Sequence, residues 1–180
     1  MILSIAFFCL ASGIIQKKIM NEREIFNNLF EVAKKSKDPE GVVAACLVKD
    51  GIVILSVPSA EDGIRHAEDL LIGIAVEEGV NIDSDTLLVT TLEPCSYRNP
   101  SNKVEDCTTI IINSGIKRVL YAARDPDFSK DAKIRFSEAG VEYLQVEDKA
   151  IVKKAVELFN STIKIPLTSE GLPRAKKFPG

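Results

Sequence analysis

A chain of 180 residues in which 46% of the side chains are hydrophobic and 27% are charged has the length and balance of one globular domain. Its net charge of -3 argues against a protein that grips a nucleic-acid backbone, because such proteins neutralise phosphates with lysine and arginine. Four cysteines are too few for a disulfide scaffold at this length, and the single histidine, His66, excludes a site that needs two imidazoles from one chain.

The chain opens on an apolar leader over residues 1–19, uncharged from Met1 to Ile15. The apolar run is shorter than the roughly 20 residues of a membrane span. It also lacks the basic residues that precede the core of a signal peptide. Three interpretations stay open: an over-extended start with Met20 as the true initiator, a signal or anchor, and a buried N-terminal helix. We favour the first, so we expect a cytoplasmic protein with no stable membrane partner; an N-terminal signal or anchor is the alternative.

Hydrophobic periodicity predicts ten elements after Met20. In chain order they are a helix over 21–35, strands over 42–48 and 52–57, a helix over 66–78, a strand over 86–91, a helix over 106–114, a strand over 117–122, a helix over 131–139, a strand over 141–146 and a helix over 148–163. The first two strands form a hairpin, whereas helices separate the later ones and imply parallel crossovers. We therefore predict an α/β fold, a three-layer α-β-α sandwich with a five-stranded mixed sheet. It spans residues 20–165, and a flexible tail follows over 166–180.

Residues suited to metal chemistry fall in two segments. His66 and Glu68 stand at the start of a predicted helix, and Cys95, after Pro94, is separated from Cys107 by eleven residues. One imidazole, two thiolates and a water make a four-coordinate catalytic zinc site with one open position. We predict one Zn²⁺ per chain, held by His66, Cys95 and Cys107, with Cys95 at the N-terminus of a helix that favours its thiolate. Glu68 then moves protons as the catalytic residue. The alternative is a surface histidine and two ordinary buried cysteines.

The order His-x-Glu, then Pro-Cys and a second Cys, resembles the cytidine-deaminase-like zinc deaminases. Within that superfamily the chain is similar to the deaminase domain of the bifunctional riboflavin-biosynthesis deaminase/reductase. The similarity runs from about residue 20 to 163 and includes the segments Val48–Gly51, His66–Glu68, Thr91–Ser96, Gly115–Val119, Asp125–Pro126 and Leu158–Asn160. The cysteine insert is longer than in that family, and Asp38 and Asp127 stand where the family has substrate-facing asparagines.

The resemblance implies hydrolytic deamination of a nucleobase-like ring, most simply a pyrimidine, as a free base, nucleoside or nucleotide. Alternatives are a deoxycytidylate, cytosine or guanine deaminase, or a binding protein with the deaminase fold and no turnover. The candidate substrate residues are Asp38, Asp125 and Asp127, and the two replaced asparagines disfavour a nearby phosphate. We expect a homo-oligomer, a dimer or larger, that does not act on nucleic acid. Arg98 and Lys103 in the cysteine insert are expected in a solvated loop, with contact to an anionic substrate as the alternative.

Overall fold

The computed structural model describes residues 20–39, 41–98, 103–125 and 127–161. Its strands are β1 (Ala44–Lys49), β2 (Ile52–Pro58), β3 (Leu87–Leu92), β4 (Arg118–Ala123) and β5 (Glu142–Gln145). Its helices are α1 (Glu22–Ala33), α2 (Ala67–Glu77), α3 (Cys107–Asn113), α4 (Ala132–Glu138) and α5 (Lys149–Asn160). The leader over 1–19 and the tail over 166–180 lie outside the described residues, so the expectations for them stay predictions.

The five strands form one mixed sheet in the order β2-β1-β3-β4-β5. β1 is antiparallel to β2 and β3, whereas β4 is parallel to β3 and β5. β1 and β3 are buried along almost their whole length, as expected for strands covered on both faces. α1 packs against α5, and α2 packs against α3, which contacts α4. The structure thus confirms the predicted five-stranded mixed sheet with its helical layers.

Local sequence signals explain where the helices begin. Asn21 and Glu24 form a reciprocal capping box at the start of α1. Asp148 caps α5 by accepting a hydrogen bond from the amide of Ala150. Each of these two helices buries one apolar stripe, which packs it on the sheet. Among the described residues, no helix is long and apolar enough to cross a membrane.

The residues that the sequence indicates as candidates for the site lie near one edge of the sheet. β3 and β4 are parallel, and Leu92 pairs with Ala123, so the loops that follow these strands leave the sheet side by side. β1 runs the other way, and the amide of Ala44 at its start donates to Thr91 Oγ1 at 3.0 Å. In open α/β sheets, ligands bind outside the carboxyl ends of the strands. This edge is therefore where a site is expected.

Candidate active site

Three potential metal ligands converge at this edge. His66 is the N-cap of α2, and its side chain makes no capping hydrogen bond. Cys95 follows β3, and Cys107 is the first residue of α3. The Nδ1 atom of His66 lies 3.6 Å from Cys95 Sγ and 3.5 Å from Cys107 Sγ. All three ligand atoms lie within 4.8 Å of one another.

These separations fit a tetrahedral zinc ion. Zinc–sulfur bonds of about 2.3 Å and zinc–nitrogen bonds of about 2.0–2.1 Å, meeting at the tetrahedral angle, place sulfur and nitrogen about 3.6 Å apart. The two observed nitrogen–sulfur distances match that value. Two thiols and one imidazole also suit zinc and leave a fourth position for water. The described residues therefore form a donor set that zinc can occupy without rearrangement of the backbone.

The expected position of Cys95 at the start of a helix is wrong. Cys95 lies in the loop after β3, and α3 begins at Cys107, twelve positions later, with Asp106 as its N-cap. The amide of Cys107, at the first position of α3, nevertheless points to Cys95 Sγ at 3.4 Å. Hydrogen bonds from Cys107, followed by those of His66, hold the pKa of the Cys95 thiol well below its usual range. The helix terminus thus supports the Cys95 thiolate from across the loop.

Glu68 sits behind the three ligand atoms on the first turn of α2. Its carboxyl group is buried, and Oε1 accepts a hydrogen bond of 3.1 Å from the hydroxyl of Thr90 on β3. Oε2 lies 3.5 Å from Cys107 Sγ. Burial raises the pKa of Glu68 above its ordinary value. The side chain is therefore held beside the donor set by a second residue, with one oxygen directed toward it.

Arg98 is not the solvated loop residue that the sequence predicts. Its side chain is only 4% exposed, and Nη2 donates to Cys107 Sγ at 3.2 Å. Nη1 donates to the carbonyl of Ile64, just before His66, at 3.2 Å. Lys103, by contrast, is exposed, as expected. No signal in the loop sequence distinguishes the two cations, because the burial of Arg98 depends on contacts across 34 positions of the chain.

The three aspartates proposed as substrate residues occupy different environments. Asp125 follows β4 and is buried, and burial raises its pKa to about 7. Asp38 precedes β1 and is also buried, whereas Asp127 is exposed. The start of β1 and the ends of β3 and β4 lie at one edge of the sheet. The three aspartates and Cys95 all belong to segments that flank the strands at this edge. Their contact with a substrate stays a prediction.

Glu93 serves the framework of this edge. Its Oε2 accepts the amide of Asp125 at 2.8 Å, and its Oε1 accepts the hydroxyl of Tyr143 at 2.8 Å. The Tyr143 ring stacks on that of Tyr121 with centroids 4.8 Å apart. Glu93 therefore ties the loop after β3 to the loop after β4 and to β5.

Comparisons with known proteins identify the family. The family model described as the cytidine and deoxycytidylate deaminase zinc-binding region matches residues 20–123. The chain belongs to this family of zinc-dependent deaminases, which confirms the resemblance seen in the sequence and zinc as the cofactor. Membership of the family also confirms the expected class of enzyme, a hydrolytic deaminase.

The comparisons also give individual proteins that are similar to this chain. The riboflavin biosynthesis protein RibD of Aquifex aeolicus (strain VF5) is 34% identical over 129 residues, which is 67% of this chain and 34% of that protein. RibD of Bacillus amyloliquefaciens is 32% identical over 126 residues, which is 67% of this chain and 32% of that protein. The crystal structure of a diaminohydroxyphosphoribosylaminopyrimidine deaminase/5-amino-6-(5-phosphoribosylamino)uracil reductase from Thermotoga maritima superposes with a TM-score of 0.65 at 32% identity. That superposition covers 78% of this chain and 41% of the other. The chain thus spans about a third of the length of the curated relatives it matches.

Proposed function

We propose that this chain hydrolyses an exocyclic amino group from a nucleobase-like ring, and that the ring is a pyrimidine related to the substrate of the riboflavin-pathway deaminases. The observation that carries the proposal is the convergence of His66, Cys95 and Cys107 at zinc-binding distances with the buried carboxyl of Glu68 beside them. A catalytically silent binding protein would have no need of a carboxyl group in that position. The intact Glu68 therefore favours turnover.

The proposed chemistry adds water to the ring carbon that bears the amino group and releases ammonia. His66, Cys95 and Cys107 would hold the zinc ion, which would supply an activated water at neutral pH. Glu68 would accept one proton from the attacking water and pass it to the ring nitrogen, and would then accept the second proton from the added hydroxyl and pass it to the departing amine. The hydroxyl of Thr90 holds Oε1 of Glu68, and Oε2 lies on the side of Cys107 Sγ, toward the three candidate ligands. The products are a ring carbonyl and ammonia, so all atoms of substrate and water are accounted for.

Two observations support the class of substrate that we propose. The similar protein from Thermotoga maritima is named as a deaminase of a phosphoribosylaminopyrimidine, and the RibD relatives are named for riboflavin biosynthesis. Asp38 and Asp127 replace amides by carboxylates at the proposed substrate edge. A carboxylate repels a nearby phosphate, so we propose a ring substrate without a phosphate at that edge.

The wider properties are proposals as well. We propose that residues 20–165 form the catalytic domain, that the chain works in the cytoplasm, and that it assembles as a homo-oligomer. The net charge of -3 favours a small-molecule substrate over nucleic acid.

A panel assay tests the function. Ammonia release is measured for free bases, nucleosides, nucleotides and the riboflavin-pathway pyrimidine, with and without its phosphate, after the zinc content of the protein has been determined. We expect about one zinc per chain, as for a single catalytic site, and turnover of an unphosphorylated aminopyrimidine. A protein that contains zinc and releases ammonia from no member of the panel contradicts the proposal.

The same assay tests whether Asp38 and Asp127 disfavour a phosphorylated substrate. We expect the double substitution Asp38→Asn and Asp127→Asn to raise turnover of the phosphorylated pyrimidine relative to the unphosphorylated one. Efficient turnover of the phosphorylated pyrimidine by the unmodified chain would show that these carboxylates do not oppose a phosphate.

A further inference from the structure

The Arg98 side chain is largely buried against the candidate zinc site, although it lies in a polar loop. Its side chain is 4% exposed. Burial of a cation costs several kcal/mol unless an anion and hydrogen-bond acceptors compensate it. The acceptors around Arg98 therefore indicate what the residue does.

Two different acceptors hold the two ends of the guanidinium fork. Nη2 donates to Cys107 Sγ at 3.2 Å, and Nη1 donates to the Ile64 carbonyl at 3.2 Å. The nearest carboxylate, Asp69 Oδ2, is 3.9 Å from Nη1 and already accepts a hydrogen bond of 3.3 Å from Arg65 Nε. The Cys107 sulfur is thus closer to the guanidinium than the Asp69 carboxylate is. The remaining donor, Nε, is buried and has no hydrogen-bond partner among the described residues.

The net charge of the site explains why a cation beside Cys107 Sγ would be favourable. Two thiolates and a neutral imidazole balance a divalent zinc ion, and the carboxylate of Glu68, 3.5 Å from Cys107 Sγ, adds one further negative charge. Arg98 supplies the cation that offsets it. A charge-assisted hydrogen bond also withdraws electron density from the thiolate and fixes the position of its sulfur.

We propose that Arg98 is a positioning residue of the zinc site, which holds Cys107 Sγ through one arm of its guanidinium while the Ile64 carbonyl anchors the other arm. The inference rests on the proposed function only in that it needs zinc to bind at His66, Cys95 and Cys107. Arg98 acts through Cys107 and has no assigned contact with the substrate.

The experiment compares the unmodified chain with Arg98→Met and Arg65→Met. Methionine keeps part of the apolar stem and has no donor. Arg65→Met is the matched control, because Arg65 is also paired with Asp69 but its hydrogen bond goes to the carboxylate rather than to sulfur. Zinc affinity is measured by competition with a chromogenic chelator. Each protein is also loaded with Co²⁺, and the sulfur-to-cobalt charge-transfer band is recorded.

We expect Arg98→Met to lower zinc affinity about 10–100-fold, the usual effect of removing a partner of a metal ligand. Its charge-transfer band should move to longer wavelength, because a sulfur that has lost a hydrogen bond gives up an electron more easily. Arg65→Met should leave affinity and band unchanged. If Arg98→Met lowers the melting temperature of the metal-free protein but leaves the band in place, Arg98 supports the loop only, and the inference is wrong.

Three further outcomes are decisive. If Arg98→Met fails to fold, Arg98→Gln replaces it, since glutamine keeps a donor for the Ile64 carbonyl but carries no charge; a shifted band supports the inference and an unshifted band overturns it. If the unmodified chain binds neither zinc nor cobalt, the proposed function fails together with this inference. If it binds both metals and the Arg98 variants behave as it does, the inference alone fails.

Discussion

The proton chemistry of the proposed reaction rests on the carboxyl of Glu68, which can be removed without removing a metal ligand. In Glu68→Gln the amide retains nearly the same shape, and its carbonyl can still accept the hydroxyl of Thr90. It cannot accept and return a proton. We expect the variant to keep its zinc and its melting temperature and to lose about 10²–10⁴-fold in turnover, which is the usual contribution of general acid–base catalysis. Zinc analysis, thermal unfolding and ammonia release measure the three quantities.

Variants of the ligands are the control for this prediction. His66→Ala, Cys95→Ala and Cys107→Ala should lose zinc as well as activity, because three protein ligands are needed to hold a catalytic zinc ion. A Glu68→Gln protein that loses its metal as these variants do would make Glu68 a ligand or a structural partner. The assigned mechanism would then be wrong even if the enzyme class is right.

The buried Asp125 carboxyl should make the free energy of unfolding depend on pH, and its raised pKa gives the sign of that dependence. Burial, followed by the charges of Cys95 and Glu93, raises its pKa from 3.8 to about 7 on folding. Below pH 4 the group is protonated in both states, so its contribution to stability is fully present there. As the pH rises from 4 to 7 the folded state retains a proton that the unfolded state has lost. The free energy of unfolding therefore falls, by at most about 1.4 kcal/mol per pH unit.

Asp125→Asn should remove this dependence, because the amide resembles the protonated carboxyl. The difference in the free energy of unfolding between the variant and the unmodified chain should grow from pH 4 to 7 and then stay constant, with the variant the more stable above pH 7. Denaturant titrations of the two metal-free proteins at a series of pH values measure it. The control is Asp127→Asn, an exposed position two residues on. A difference that does not change with pH would show that Asp125 titrates at its ordinary value.

Short motifs in the sequence predicted the candidate ligands, whereas the neighbours of those ligands depend on folding. His66, Cys95 and Cys107 have few alternative roles in a chain with one histidine, and the order of the motifs placed them together. Arg98 stands among Asn, Pro, Ser and Lys residues, a composition typical of a solvated loop. Its burial goes with contacts to Ile64 and Cys107, which lie 34 and 9 positions away in the chain.

Helix α5 meets the loop before β1 at a glycine that admits no side chain. Gly41 has a φ of 131°, and a Cβ atom built there would lie 2.3 Å from Cε2 of Phe159 on α5. We expect Gly41→Ala to lower the free energy of unfolding by about 1–3 kcal/mol through this overpacking, in addition to the cost of a positive φ. The control is Gly140→Ala, since Gly140 has a φ of 66° and a Cβ there would meet nothing within 4 Å. Denaturant unfolding of both variants measures the difference.

A double-mutant cycle isolates the contact from the backbone strain. In a Phe159→Leu background the ring is absent, so Gly41→Ala should cost less than it does in the unmodified chain. Equal costs in the two backgrounds would assign the whole effect to the conformation of Gly41 and would exclude the proposed contact with α5.

The elements that the sequence predicted well are those with a strong period and clear ends. The helix predicted over 21–35 corresponds to α1 (Glu22–Ala33), because its capping box and its apolar stripe are both local signals. The structure of the segment after Cys95 was harder to predict from the sequence, because its described residues contact distant partners. Arg135 on α4 donates to the carbonyl of Ser96 and to Asp106, and these contacts hold the two described ends of the segment between the cysteines. Periodicity within a loop carries no information about such contacts.

The described fold indicates how much of the chain the proposed reaction needs. The five strands, the five helices and every candidate site residue lie between Met20 and Ser161. Met20 itself is tied to the hairpin, because its amide donates to the carbonyl of Gly51 at 2.7 Å. The family match also begins at residue 20. These observations agree with a catalytic domain over 20–165, as proposed.

A protein cut to residues 20–165 should therefore be soluble, cooperatively folded and as active per zinc ion as the full chain. The physical reason is that stability comes mainly from apolar burial, and the core that the structure describes around the sheet is built from residues between Met20 and Phe159. Thermal unfolding, zinc content and ammonia release should each agree between the two proteins. Two further truncations, one to 20–180 and one to 1–165, assign any difference to one end. Aggregation or loss of the thermal transition in 20–180 but not in 1–165 would show that residues 1–19 belong to the fold, and Met20 would no longer be a sufficient start for the domain.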